Sequence, residues 1–242
     1  MITPSLHSDL APTGKLRVGI NYGNAILATK DPVTGEPRGV APDLARELGK
    51  RTGLPIEFVT FEAAGKMFEA VKSGAWDVAF LAIDLMRAGE IDYTAPYIEI
   101  EGTYLVPSGT PYASPGEVDR AGVRIGVSSN SAYDLFLRRA LKHAELVHAG
   151  SPAEAFELLA TGATDVLAGV RQHLAANSKR LPGSRVLDES FMTIGQAMGI
   201  VKGRGDSVTY LREFIEDAKA SGLVARSLEK SGVTGVSIAR KA

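Results

Sequence analysis

The chain spells one short pattern twice. Leu16 to Asn21 (LRVGIN) returns 107 residues later as Val123 to Ser128 (VRIGVS), and Phe68 to Val78 (FEAVKSGAWDV) returns 88 residues later as Phe156 to Val166 (FELLATGATDV). Phe, Glu, Gly, Ala, Asp and Val coincide at six of the eleven positions of the longer pair. The two offsets differ by 19, the length of stretch 22–40, which carries Gly23, Asp31-Pro32, Gly35 and Pro37 and reads as a loop or hairpin excursion. A single insertion therefore reconciles both echoes. Echoes in matching order and of matching element type imply two lobes built on one plan.

Each copy alternates strands with helices. Leu16 to Asn21 is a strand, and Pro42 opens a helix with Leu44, Ala45 and Leu48 on one face, stopped by Gly53. Pro55 to Phe61 alternates as a strand, whereas Val78 to Ile83 is an unbroken apolar run, as expected of a strand buried on both faces. In the second copy Ser131 caps a helix, and Ser151-Pro152-Ala153-Glu154 is a capping box with proline at the first helical position. Arg171 to Arg180 looks helical, and Asp206 opens a long helix. Gly102 to Val106 is a short strand and Gly199 to Lys202 an extended return. The alternation predicts a parallel-rich α/β sheet in each lobe.

Composition narrows the function. With 242 residues, 45% hydrophobic and 23% charged, at a net charge of −1, the chain has an ordinary globular make-up and can bury a sizeable core without disulfide or metal. Near-neutral charge without a basic stripe argues against nucleic acid. The absence of cysteine excludes thiol catalysis and cysteine-ligated zinc. His7, His143, His148 and His173 lack metal-ligand spacing, and neither a Walker loop nor a G-x-G-x-x-G after a strand occurs, so no metal or cofactor is expected. No run of 18 apolar residues predicts membrane insertion. The stretch MITPSLHSDLAPTGK has neither a basic n-region nor an apolar h-region, so it does not read as a signal peptide.

Three segments in order carry a family likeness: Gly39-Val40-Ala41-Pro42-Asp43-Leu44, Gly74-Ala75-Trp76-Asp77-Val78, and Arg87 followed by Ile91-Asp92-Tyr93-Thr94-Ala95-Pro96-Tyr97. Together they resemble the family 3 extracellular solute-binding proteins, polar-amino-acid receptors of ABC importers, from about Lys15 to Ser231. The resemblance implies a two-lobed, type II periplasmic-binding-protein-like α/β fold, each lobe a mixed sheet flanked by helices with a ligand cleft between. Lobe 1 would comprise residues 1–106 with 199–242, lobe 2 residues 107–198, with hinges in Gly102 to Val106 and Gly199 to Lys202. It further implies a monomer that binds a small carboxylate ligand by hinge closure and serves an ABC permease. The location is periplasmic by resemblance, cytoplasmic if no leader precedes the sequence.

The candidate site follows from the strand ends, where open α/β sheets gather ligands. Arg87 matches the family arginine that forks onto the ligand's carboxylate, and a planar guanidinium suits a bidentate carboxylate. Ser129-Asn130-Ser131, directly before a helix, reads as an anion site of free backbone N–H groups. Asp84 lies on a shorter turn than the family's, and Asn21, Tyr22 and Gln196 are cleft candidates. Arg171 and Gln172 correspond through the repeat to Ile83 and Asp84. The family's ammonium-binding aspartate is missing, with Val170 in its place and Arg171 beside it; this predicts keto, hydroxy, aromatic or dicarboxylic acids rather than standard α-amino acids. Asp84, from the opposite wall, is the one residue placed to rescue an ammonium. Two other readings stay open: a dehydratase of the cyclohexadienyl type on the same fold with Asp84 or another acid as proton donor, and a sensory module that does not transport.

Overall fold

The computed structural model describes residues 2–242. In chain order the elements are α1 (Pro4–Leu10), β1 (Leu16–Asn21), β2 (Thr29–Lys30), β3 (Pro37–Arg38), α2 (Val40–Thr52), β4 (Ile56–Phe61), α3 (Ala64–Glu69), β5 (Val78–Ala82), β6 (Ile91–Tyr93) and β7 (Ile98–Val106). They continue as β8 (Arg124–Ser128), α4 (Ala132–Ala140), β9 (Glu145–Ala149), α5 (Pro152–Ala160), β10 (Val166–Val170), α6 (Arg171–Ser178), β11 (Arg185–Val186), β12 (Met192–Val201), α7 (Gly205–Ala220), α8 (Leu223–Lys230) and β13 (Ser237–Ile238). The chain forms two compact units, one of Met1–Glu99 with Gly195–Ala242 and the other of Ile100–Ile194, so it passes between them inside β7 and again inside β12.

The repeat in the sequence is a repeat in topology. In the first unit β1 lies between β4 and β5, both parallel to it, and β12 pairs antiparallel with β5 from Gln196↔Ala82 to Ile200↔Val78. In the second unit β8 lies between β9 and β10, both parallel to it, and β7 pairs antiparallel with β10 from Gly102↔Val170 to Leu105↔Leu167. Each unit thus closes its parallel triplet with a crossover strand. The first core gathers Met67, Val71, Trp76, Ala79, Leu81 and Ile91, with the Trp76 indole N–H donating to the Met67 carbonyl at 2.8 Å. The second gathers Leu105, Ala155, Phe156, Leu159, Leu167 and Leu174.

The same ionic clamp ties the first strand to the third in both units. In the first, Arg17 N–H and Nε donate to Asp77 Oδ2 at 3.0 Å each and Nη2 to Asp77 Oδ1 at 2.8 Å. Its Nη1 reaches the Gly74 carbonyl at 2.6 Å, and Asp77 N–H returns to the Arg17 carbonyl at 2.8 Å. In the second, Arg124 N–H and Nε donate to Asp165 Oδ2 at 2.8 and 3.1 Å, and Nη2 reaches Asp165 Oδ1 and the Gly162 carbonyl at 2.9 and 3.1 Å. Asp165 N–H returns to the Arg124 carbonyl at 2.9 Å. The clamps differ in burial: the Asp77 side chain is 0% exposed and Arg204 also approaches it at 3.6 Å, whereas that of Asp165 is 37% exposed.

Asp165 is held below the usual carboxyl value, chiefly by its hydrogen bond from Arg124 and against the effect of burial. A depressed carboxyl contributes stability that is present above its unfolded value of about 3.9 and is lost as pH falls through the folded value. Asp165→Asn should therefore lower the urea midpoint at pH 7 by more than at pH 3, so the gap to the native protein narrows on acidification. A gap that stays constant from pH 7 to pH 3 would show that the carboxylate charge does not hold the clamp.

Three sequence expectations shift. Helix α2 starts at Val40 rather than Pro42, because Gly39 caps it at φ 122°, where an added Cβ would lie 2.6 Å from the Leu27 carbonyl oxygen. Strand β7 begins at Ile98 and β12 runs from Met192, both longer than the apolar stretches that signalled them. Gln196 and Gly195 break the hydrophobic run of β12, yet hydrogen bonding to β5 carries the strand through them.

Candidate functional site

Parallel pairing sets the carboxyl ends of β1 and β5 on one edge of the first sheet, and those of β8 and β10 on one edge of the second. On the first edge, Asn21 is buried and its Oδ1 accepts the Gly23 N–H at 2.9 Å, turning the chain out of β1. Tyr22 follows, its N–H donating to the Phe61 carbonyl at 2.8 Å, with its hydroxyl shifted upward mainly by burial. Gln196 is buried opposite Ala82, the last residue of β5.

The turn after β5 is held from within. Asp84 is buried; its Oδ1 accepts the Met86 N–H at 2.8 Å and its carbonyl accepts the Ala88 N–H at 3.0 Å. Arg87 is 0% exposed: Nη1 donates to the Ala82 carbonyl at 3.2 Å, and the guanidinium lies 5.8 Å from the centre of the Phe68 ring. Burial lowers its pKa while Tyr93 and Asp84 oppose that effect, and Tyr93 is itself pushed up to about 12, chiefly by burial. Arg87, matched in the sequence to the family arginine that forks onto a ligand carboxylate, is here a side chain folded into the first unit.

On the second edge the turn Ser129–Ser131 also differs from expectation. Asn130 adopts a left-handed conformation at φ 56°. Ser129 N–H donates to the Ala149 carbonyl at 2.8 Å, Asn130 N–H to Asp134 Oδ2 at 2.7 Å, and Ser131 N–H to the Ser128 carbonyl at 3.1 Å. The N–H groups read as free are therefore committed. Helix geometry leaves Ala132 and Tyr133 as the N–H groups that α4 itself does not use. Beneath them lies a network that the sequence did not reveal. The buried Asp134 carboxylate takes Arg138 Nε and Nη2 at 3.0 and 2.6 Å and meets His148 Nε2 at 2.9 Å, while Ser131 Oγ caps α4 by accepting the Asp134 N–H at 3.2 Å. The Tyr133 hydroxyl, pushed up to about 12 by burial, hydrogen-bonds to Ser131 and Ser128.

At the end of β10, Arg171 is fully engaged. Its Nε meets the Glu101 carboxylate, and Nη1 and Nη2 donate to the Leu187 and Asp188 carbonyls at 2.9 and 2.7 Å. Gln172 follows in the first turn of α6, half-buried. Among the described residues no group of three or more His, Cys, Asp or Glu could hold a metal, and no helix is long and apolar enough to cross a membrane.

These edges, repeated in two α/β units, have counterparts among known proteins. A glutamine-binding protein of Geobacillus stearothermophilus is 26% identical over 196 residues, covering 78% of this chain and 73% of its own. A mutant of ArgBP from T. maritima matches with a TM-score of 0.79 at 17% identity, over 94% of this chain and 99% of that one. A binding component of an ABC transporter from Wolinella succinogenes, complexed with lysine, matches with a TM-score of 0.77 at 23% identity, over 90% and 95%. These structural likenesses give the periplasmic-binding-protein-like α/β fold. The family model of the bacterial extracellular solute-binding proteins, family 3, matches residues 16–233, nearly the whole of both units, and to that family the chain belongs.

Proposed function

We propose that the chain is a receptor for a small carboxylate-bearing solute, that it binds without converting it, and that it delivers it to an ABC importer. The observation that carries this reading is the repeated edge: in both units, polar side chains gather at the carboxyl ends of parallel strands, where α/β sheets take ligands. The glutamine-binding relative and the lysine-bound structure support an amino acid or a close derivative. The ligand carboxylate is assigned to the turn before α4, with the side chains of Ser129 and Asn130 and the first N–H groups of the helix as donors. Asn21, Tyr22, Gln196 and Gln172 are assigned as further polar contacts, and Arg87 to the framework of its turn. Asp84, the first acid that a dehydratase reading would consider, already accepts the Met86 N–H, which favours binding without conversion.

An α-ammonium taken out of water needs a carboxylate partner. Val170 stands where the family aspartate is expected, Asp84 is engaged in its own turn, and Glu101 is matched by Arg171. That match also removes the reason to expect a second carboxylate on the ligand. The favoured ligands are keto, hydroxy or aromatic acids. A thermal-shift screen of the twenty amino acids beside their deaminated counterparts tests this. A bound acid at about 100 times Kd should add roughly 2.7 kcal/mol, a shift of roughly 5–10 °C. Tight binding of an ordinary amino acid with its deaminated partner silent would overturn the ligand class. Silence from every carboxylate would overturn the receptor reading.

A further inference from the structure

The turn that follows β5 presents apolar side chains to water. Leu85 is 82% exposed, Met86 66% and Ile83 43%, so three of the chain's large exposed hydrophobic residues fall within four positions. Scattered exposed apolar residues need no explanation, but a contiguous set does. This set is also rigidly mounted. Ile83 N–H donates to the Gly195 carbonyl at 3.0 Å, Asp84 Oδ1 takes the Met86 N–H at 2.8 Å, and the Asp84 carbonyl takes the Ala88 N–H at 3.0 Å. From below, the buried Arg87 braces the Ala82 carbonyl at 3.2 Å. Polar groups are thus spent holding the turn while its apolar side chains point outward, the reverse of an ordinary surface turn. It stands on the carboxyl edge of a parallel strand, the edge that also carries Asn21 and Gln196.

We propose that Ile83, Leu85 and Met86 form an apolar subsite that receives the hydrocarbon part of the ligand, which makes the solute an apolar organic acid of the branched-chain or aryl 2-oxo-acid class. This rests on the receptor reading above and adds to it the identity of the ligand's tail. A preformed apolar surface needs little reorganisation on binding, and methionine adapts its shape to differing tails. Affinity should therefore climb with tail size.

The test uses the full chain and its Leu85→Ser/Met86→Ser variant, whose substituted side chains are exposed and carry little of the fold. Pyruvate, 2-oxobutanoate, 4-methyl-2-oxopentanoate and phenylpyruvate are titrated calorimetrically into each. The native protein should gain about fourfold in affinity per buried methylene, and the variant should lose that gradient. A gradient that persists in the variant, or equal affinity across the series, overturns the proposal. Should none of the acids bind, the receptor reading falls, and the subsite is judged by 8-anilinonaphthalene-1-sulfonate fluorescence. Enhancement in the native protein that the variant loses upholds an apolar subsite, and equal signals overturn it. Sedimentation completes the set: self-association of the native protein abolished in the variant would make the occupant a second copy and overturn the proposal.

Discussion

Replacing Asp77 by alanine should cost the first unit on the order of 3–5 kcal/mol, the range for breaking a buried ion pair from one side. The carboxylate is fully buried and accepts three bonds from Arg17 alone, one of them from the backbone. Its removal strands that N–H and leaves two guanidinium groups, those of Arg17 and Arg204, without their shared counter-charge. The matching change Asp165→Ala should cost about 1–2 kcal/mol, because water reaches that pair and screens it. Thermal unfolding of the two variants reads the contrast directly. The first should melt roughly 6–20 °C lower, the second a few degrees lower. Equal losses would show that burial does not separate the two clamps.

Arg87→Ala should be nearly as damaging, at about 3–5 kcal/mol. It removes a donor from the Ala82 carbonyl, a positive charge from beside Asp84, and a packed stem from above Phe68. Arg87→Met keeps most of the stem, so the difference between the two variants isolates packing from charge. Chemical denaturation of the ligand-free protein is the measurement, paired with ligand titration of Arg87→Lys. A framework role predicts a large stability loss, with affinity following only as the turn loosens. Unchanged stability with a 10–150-fold loss of affinity, the value of one charge-assisted hydrogen bond, would return Arg87 to the ligand.

The repeat was legible because the residues that spell it do structural work in both copies. Arg17 and Arg124, Gly74 and Gly162, and Asp77 and Asp165 occupy equivalent places in two clamps, so their spacing in the sequence is the spacing of strands. The start of β12 was illegible for the opposite reason: bonding to a distant strand and its turn carries it through Gly195 and Gln196, and no local pattern marks that. The site was legible as a set of strand ends, but not in the direction of its side chains. Nothing near Arg87 in the sequence signals that the guanidinium folds over Phe68, nor near Arg171 that Glu101, seventy residues earlier, meets it.

The second unit interrupts the first, and its two ends meet. Phe191 N–H donates to the Gly102 carbonyl at 2.9 Å, and an added Cβ on Gly102 would stand 2.8 Å from Met192 Cγ, so a larger residue there would force the Met192 side chain to move. During synthesis the segment Ile100–Ile194 is complete before the part of β12 that pairs with β5 emerges, whereas β5 waits for that partner from beyond it. Bringing β12 to β5 across a flexible 95-residue insert would carry a full loop-closure entropy. An insert already folded, with its ends pinned at Gly102 and Phe191, shortens the connection from β5 to β12 to roughly 25 residues, lowering its closure cost by roughly 1–1.5 kcal/mol on logarithmic scaling with loop length. The order of emergence from the ribosome thus favours the inner unit as the template on which the outer one is completed.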